Sequence, residues 1–196
     1  MKLIKAILYA IKRMILSIFG DIKVYRWPFF FIYSPDSFEV KGTHTRETMN
    51  IIEPGDIIQR KYVHYLDGYF IPGKYSHTGV YIGDNTVIHA IAEGVSKIDL
   101  IDFMRTDAIR VLRPKSGQEY AINKAVEVLD TPYDFSFKDG ESHIYCHELA
   151  AMCYPELNVV KVTPKLFGLS WGAKPCYLSE SFDTDDFNVV YEFLGF

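Results

Sequence analysis

Cysteine is scarce in this chain of 196 residues: Cys146, Cys153 and Cys176 are the only three. An odd, sparse set excludes a disulfide framework, and without a C-x-x-C pair a structural zinc site is not expected. The expected compartment is therefore cytoplasmic or otherwise reducing. An excess of positive charge is also missing. The formal net charge is −4, which gives no reason to expect a nucleic-acid partner. There is no internal repeat and no low-complexity segment. Near the N-terminus the longest uncharged stretches are six or seven residues, whereas a membrane-spanning helix needs roughly 20. That region also lacks a clean signal-peptide cleavage site.

Apolar material, by contrast, is ample. Hydrophobic residues make up 48% and aromatics 15% of the chain, enough for a sizeable core in one domain and too many for intrinsic disorder. "MKLIKAILYAIKRMILSIFG" opens the chain. At helical spacing Lys2, Lys5, Tyr9, Lys12 and Arg13 share a stripe about 100° wide, and the rest of the wheel is apolar. Residues 2–19 are thus expected to form a basic amphipathic helix that Gly20 stops. Such a helix is either an interfacial membrane anchor or an element that docks on its own domain or on a protein partner with its lysines in water. "WPFFFIY" (27–33) follows, strand-like or a second interfacial patch. Residues 1–45 therefore form an appended segment, and residues 46–196 the main domain.

Within that domain, Pro54-Gly55-Asp56 is a turn feeding the strand at Ile57-Ile58. "HTGVYIGD" and "TVIHAIA" flank Gly83-Asp84-Asn85 and read as a hairpin. "VSKIDLIDFMRT" leads into a short helix, and "AIRVLRP" (108–114) is a further strand. "GQEYAINKAVEVLD" has helical spacing. A second helix begins near Cys146, with Leu149, Ala150 and Cys153 along one face. The tail, 157–196, reads as one or two more strands. Strands, two helices and strands again predict an α+β domain, with a small antiparallel sheet or barrel packed against the cysteine helix.

Cys146 stands where a nucleophile is expected, at a helix start after a loop. Free N–H groups and the helix dipole there favour thiolate. A base must accept its proton, and a third polar group must orient that base. In a hairpin centred near 83–84, His77 lies opposite about 89–90, so His77 and His89 share one face. A slip of one residue would separate them. Taken singly, each residue has a blander reading: buried cysteines are usually small hydrophobes, and strand histidines are usually hydrogen-bonded core residues. Cys153 reads as core and Cys176 as incidental. His143 and His147 are near Cys146 along the chain, which is not the geometry a base needs. His64 is a further histidine without an assigned role. A zinc held by His77, His89 and Cys146 lacks any H-x-x-x-H or C-x-x-C spacing, so no metal and no cofactor is expected.

"PGDII" (54–58), "SHTGVYIGDNTVIHA" (76–90), "TPYDFSF" (131–137) and "YCHELA" (145–150) together resemble the circularly permuted NlpC-type papain-like cysteine hydrolases. That group includes the YiiX-like proteins and the lecithin–retinol acyltransferase relatives. The resemblance covers about residues 51–155. It implies Cys146 as nucleophile, His77 as general base and His89 as orienting third residue. His147 stands where the family commonly shows serine. The implied chemistry is acyl transfer through a thioester, with the Cys146 N–H and a second donor on the oxyanion. Tyr62, Tyr75 and Tyr145 are the candidate donors, and His147 a pocket residue.

The leading expectation is a cysteine hydrolase (peptidase- or amidase-like) cleaving a peptide or cell-wall-like amide, or an ester. The alternatives are a lipid-directed acyl hydrolase or acyltransferase at a membrane surface, and a catalytically idle binding or assembly module. Expected partners are a peptide, amide or lipid acyl substrate, with residues 2–19 meeting a membrane surface or a protein.

Overall fold

The computed structural model describes residues 7, 9–12, 14–15, 22–25, 30–33, 38–63, 71–137, 140, 142–165, 170 and 174–195. Lys2, Lys5, Arg13 and His64 lie outside the described residues. An antiparallel hairpin, β1 (Ile22–Tyr25) with β2 (Phe30–Tyr33), precedes helix α1 (Gly42–Ile51). Phe31 on β2 is exposed.

The scaffold is one six-stranded antiparallel sheet built from β3 (Ile57–Lys61), β4 (His77–Gly83), β5 (Thr86–Ile91), β6 (Gly94–Asp99), β7 (Ala108–Pro114) and β8 (Phe187–Phe193). Its order is β6-β5-β4-β3-β7-β8. It is an open sheet and not a closed barrel, since β6 and β8 form its two edges. Short helix α2 (Leu100–Phe103) follows β6; α3 (Gln118–Glu127) and α4 (Cys146–Met152) follow β7; a 3-10 turn (Ser179–Phe182) precedes β8.

Alternation along the strands sorts the core into two layers. Ile57, Val80, Ile88 and Leu112 pack with Leu149, Ala150 and Phe182 on the face that carries α3 and α4. Their neighbours Ile58, Tyr81, Val87 and Val111 pack with Leu100, Phe103 and Met104 on the other face. Against β8, the His44 ring of α1 stacks on Phe193 at 3.9 Å. The polar stretch "THTRETMN" is thus helical, a state its apolar spacing does not announce; the contact with β8 supplies what propensity lacks.

The β4–β5 hairpin turns at Asp84 (φ 48°) and Asn85 (φ 53°). Two successive left-handed residues make a primed turn, whose twist matches that of the strands. The register pairs Gly79 with His89. His77 is therefore a diagonal neighbour of His89 and not its direct partner, two residues from the expected pairing. Because the displacement is two residues and not one, both histidines keep the same face.

Gly79 is the close-approach point of this hairpin. A Cβ there would stand 2.5 Å from Val87 Cγ1 and 3.1 Å from both the Ile88 carbonyl oxygen and Phe103 Cε2. Gly79→Ala is expected to cost about 1–3 kcal/mol through overpacking, read as a lower urea midpoint. An unchanged midpoint would show that Val87 and Phe103 yield freely.

Candidate active site

Tertiary packing first builds the end of α4. The Glu148 carboxylate accepts hydrogen bonds from the amides of Gly140 (3.1 Å) and Tyr145 (3.5 Å), tying the preceding loop to the helix start. Leu149 and Ala150 anchor the helix in the core below. Cys146 is left at the top, 3% exposed.

Five groups surround its sulfur. The Nδ1 of His147 lies 3.2 Å from Sγ. The backbone N–H groups of Thr78, His147 and Cys146 and the Tyr133 hydroxyl also act on it. Thr78 lies just beyond the last β4–β5 pair, Gly79 with His89, so its amide has no β5 partner and turns to the sulfur instead. These donors all favour thiolate, but burial outweighs them and pushes the thiol up to about 11. The expected helix-start activation is thus overturned in the resting site: one turn of dipole and three amides are weaker than desolvation. Tyr133 is half-buried and held well above its ordinary value, chiefly by desolvation and then by Cys146, so it remains a phenol donor.

His77 and His89 form the second half of the site. His77 Nε2 is 3.0 Å from His89 Nδ1. Phe103 packs on both rings, at centroid distances of 5.6 Å and 5.8 Å. Arg60, across the β3–β4 register from His77, lays its guanidinium 4.5 Å over Phe103 and donates to the Phe103 carbonyl at 2.9 Å. Burial, and then the Arg60 charge, hold His77 well below the ordinary histidine range and bring His89 to about 4. His147 is also lowered to about 4 by burial, partly offset by the charge of Glu180 and the Tyr75 carbonyl dipole. All three are neutral imidazoles at pH 7.

The structure therefore joins His77 to His89 and Cys146 to His147. Among the described residues, no hydrogen bond joins His77 to Sγ. The two halves adjoin through Thr78, whose amide reaches Sγ from the residue after His77, and through His147, which is near enough to His77 to disfavour its protonation. Of the expected oxyanion donors, the Tyr75 hydroxyl is given to Glu192 at 2.7 Å, Tyr62 packs beside Phe38 and Arg60, and the Tyr145 hydroxyl accepts from the Tyr177 amide. Tyr133 takes the place at the sulfur. Its position in "TPYDFSF" carried no signal of that role, because the contact spans a loop and a helix. His143 Nδ1 contacts Ser142 and not the sulfur.

Cys146 opens on a cavity of about 600 Å³ whose walls include Ile71, Pro72, Phe137 and Leu178, with His147 and Lys174. Cys176 lines the same cavity, Cys153 lies in the core with its thiol raised to about 12 by burial, and all three thiols are free. Among the described residues, no group of three or more His, Cys, Asp and Glu side chains could hold a metal ion.

Comparison with known proteins gives concordant results. The model of a family described as permuted papain-like amidase enzyme, YaeF/YiiX, C92 family, matches residues 51–175. Curated relatives include Protein OPG091 of Vaccinia virus (strain Copenhagen), 27% identical over 140 residues, spanning 67% of this chain and 79% of the relative. The OPG091 proteins of Variola virus and Monkeypox virus are each 26% identical with the same coverage. Among solved structures, the crystal structure of metalloprotein yiiX from Escherichia coli O157:H7 superposes with a TM-score of 0.60 at 20% identity. It covers 72% of this chain and 98% of its own. That likeness shows the fold. The described residues here present no ligand set that fits a metal, and the chemistry derived for the site runs through none.

Proposed function

Since the chain belongs to the permuted papain-like amidases, we propose that it is a cysteine hydrolase working through a Cys146 thioester, with His77 as general base and His89 as its orienter. The observation that carries this reading is the sulfur at the start of α4, opening on the cavity with the Thr78, Cys146 and His147 amides and the Tyr133 hydroxyl around it. Neutral thiol and neutral imidazole are the resting species, so proton transfer from Sγ to His77 accompanies attack on the substrate carbonyl. His89, 3.0 Å from His77 Nε2, fixes the tautomer that leaves Nδ1 as acceptor. The oxyanion then forms beside the amides at the helix start and the Tyr133 hydroxyl. His77 returns the proton to the leaving group, and water resolves the thioester.

The cavity walls support a second reading of the acyl group. Ile71, Pro72, Phe137 and Leu178 offer an apolar surface beside the nucleophile, which suits a lipid-type acyl chain as well as a peptide side chain. Incubation with p-nitrophenyl acetate and p-nitrophenyl dodecanoate tests both. The expected result is a mass increase of one acyl group on Cys146, absent from Cys146→Ala. A larger adduct yield with the dodecanoyl ester supports the lipid-type substrate. Absence of both an adduct and Cys146-dependent release of p-nitrophenol, with either ester, would sink the hydrolase reading in favour of an idle binding module.

A further inference from the structure

Two imidazoles in hydrogen-bond contact are a trap for a proton. His77 Nε2 and His89 Nδ1 are 3.0 Å apart. A proton taken up by either ring is therefore held by a charge-assisted hydrogen bond to the lone pair of the other. A base that already carries a proton cannot accept one from Cys146. A cation close to both rings opposes that uptake, and the fold places one there.

Arg60 stands opposite His77 in the β3–β4 register. Ile58, two residues before it, packs with Phe103, so strand alternation puts Arg60 on that same sheet face. Its side chain is buried, at 9% exposure. Phe103 grips the guanidinium at two points. Arg60 Nη1 donates to the Phe103 carbonyl at 2.9 Å, and the group lies 4.5 Å over the Phe103 ring. The Tyr62 ring meets it at 5.2 Å. The same Phe103 ring stacks on His77 at an interplanar angle of 30° and meets His89 at 63°. One aromatic ring thus fixes where the cation stands relative to both imidazoles.

Three elements bring titratable groups to His77: Arg60 from β3, His89 from β5 and His147 from α4, and each opposes its protonation. Arg60 acts on His89 as well. Of these groups only the guanidinium carries its charge throughout the working pH range.

On the reading of His77 as general base, we propose that Arg60 is a positioning residue of the site: clamped on Phe103, its fixed cation keeps the His77–His89 pair open to the Cys146 proton and so sets the acid limit of the reaction. Arg60→Gln keeps a donor for the Phe103 carbonyl and loses the charge. Arg60→Met loses the charge and keeps the aliphatic packing, so the two neutral variants disturb the fold differently. Arg60→Lys keeps the charge. Two measurements compare them: titration of the histidine ring protons by NMR in the Cys146→Ala background, and the rate of Cys146 acylation by p-nitrophenyl acetate between pH 7.5 and 5.5. In both neutral variants His77 and His89 should titrate at higher pH than in the parent protein. Their acylation rate should fall over that range by at least about threefold more than that of wild type. Arg60→Lys should restore the wild-type behaviour in both measurements. Unshifted histidine titration in the neutral variants would overturn the proposal. So would an equal change in Arg60→Lys, which would reduce the role of Arg60 to packing. Absence of acylation in wild type would sink the hydrolase reading by itself, and the NMR titration would still decide for or against the cation.

Discussion

Replacing His77 with Ala lowers the rate of Cys146 acylation by about 10²–10⁴-fold at pH 7, whereas His147→Gln costs about tenfold or less. The thiol is pushed up to about 11, so at pH 7 only about one molecule in 10⁴ carries thiolate without help. A base that removes the proton during attack recovers most of that deficit. Two imidazoles compete for the role. His147 Nδ1 is nearer, 3.2 Å from Sγ, but burial outweighs the Glu180 charge and the Tyr75 carbonyl that favour its imidazolium, and no second imidazole stands behind it. His77 has His89 behind it at 3.0 Å, and contacts that are loose in the free enzyme tighten around substrate. The pH profile separates the two. Wild type is level through pH 6–8, because His77 titrates well below 6.5. In His77→Ala the rate rises about tenfold per pH unit toward 11, tracking thiolate alone. Loss of activity in His147→Gln with retention in His77→Ala would transfer the role to His147.

Acidification from pH 6.5 to 4 is expected to remove about 3 kcal/mol of folding stability for each of His89 and His147. Both have folded-state values near 4, set by burial and then by Arg60 for His89. Above pH 6.5 neither state binds the proton and the term is constant. As pH falls, the unfolded chain takes up protons at about 6.5 while the folded chain does not, so unfolding is favoured until the folded histidines titrate near 4. His77 acts in the same direction. The loss rivals the whole stability of an ordinary domain, about 5–15 kcal/mol. Urea denaturation at pH 7, 6 and 5, above the range where most carboxylates titrate, should show the decline, and His89→Gln should make it shallower. A midpoint that does not move between pH 7 and 5 would contradict it.

Local chemistry made the frame of the site legible. Period-two alternation put His77 and His89 on one face, and Gly83-Asp84-Asn85 marked the turn between them. The register was legible only to within two residues, because strand pairing depends on Gly79 admitting Phe103, a residue of a different element. The helix start at Cys146 was readable from spacing and from the loop before it. Tyr133 and His147 at the sulfur were not: one reaches it from a loop thirteen residues earlier, and for the other, adjacency along the chain does not fix which way the ring turns. Helix α1 gave no periodic signal, since its packing partner β8 lies over 130 residues away.

Sequence by itself determined the α+β class, the order of strands and helices, and the residue types gathered into the hairpin and the cysteine helix. These follow from local propensity and periodicity, which act within a few residues. Only the tertiary structure decided the protonation state of Cys146 and which groups touch it. Desolvation is a property of everything packed around an atom, and here it overrules the helix dipole that the sequence displays. The tertiary structure also decided that Phe135, reaching from a distant loop, meets Tyr9 and Lys12.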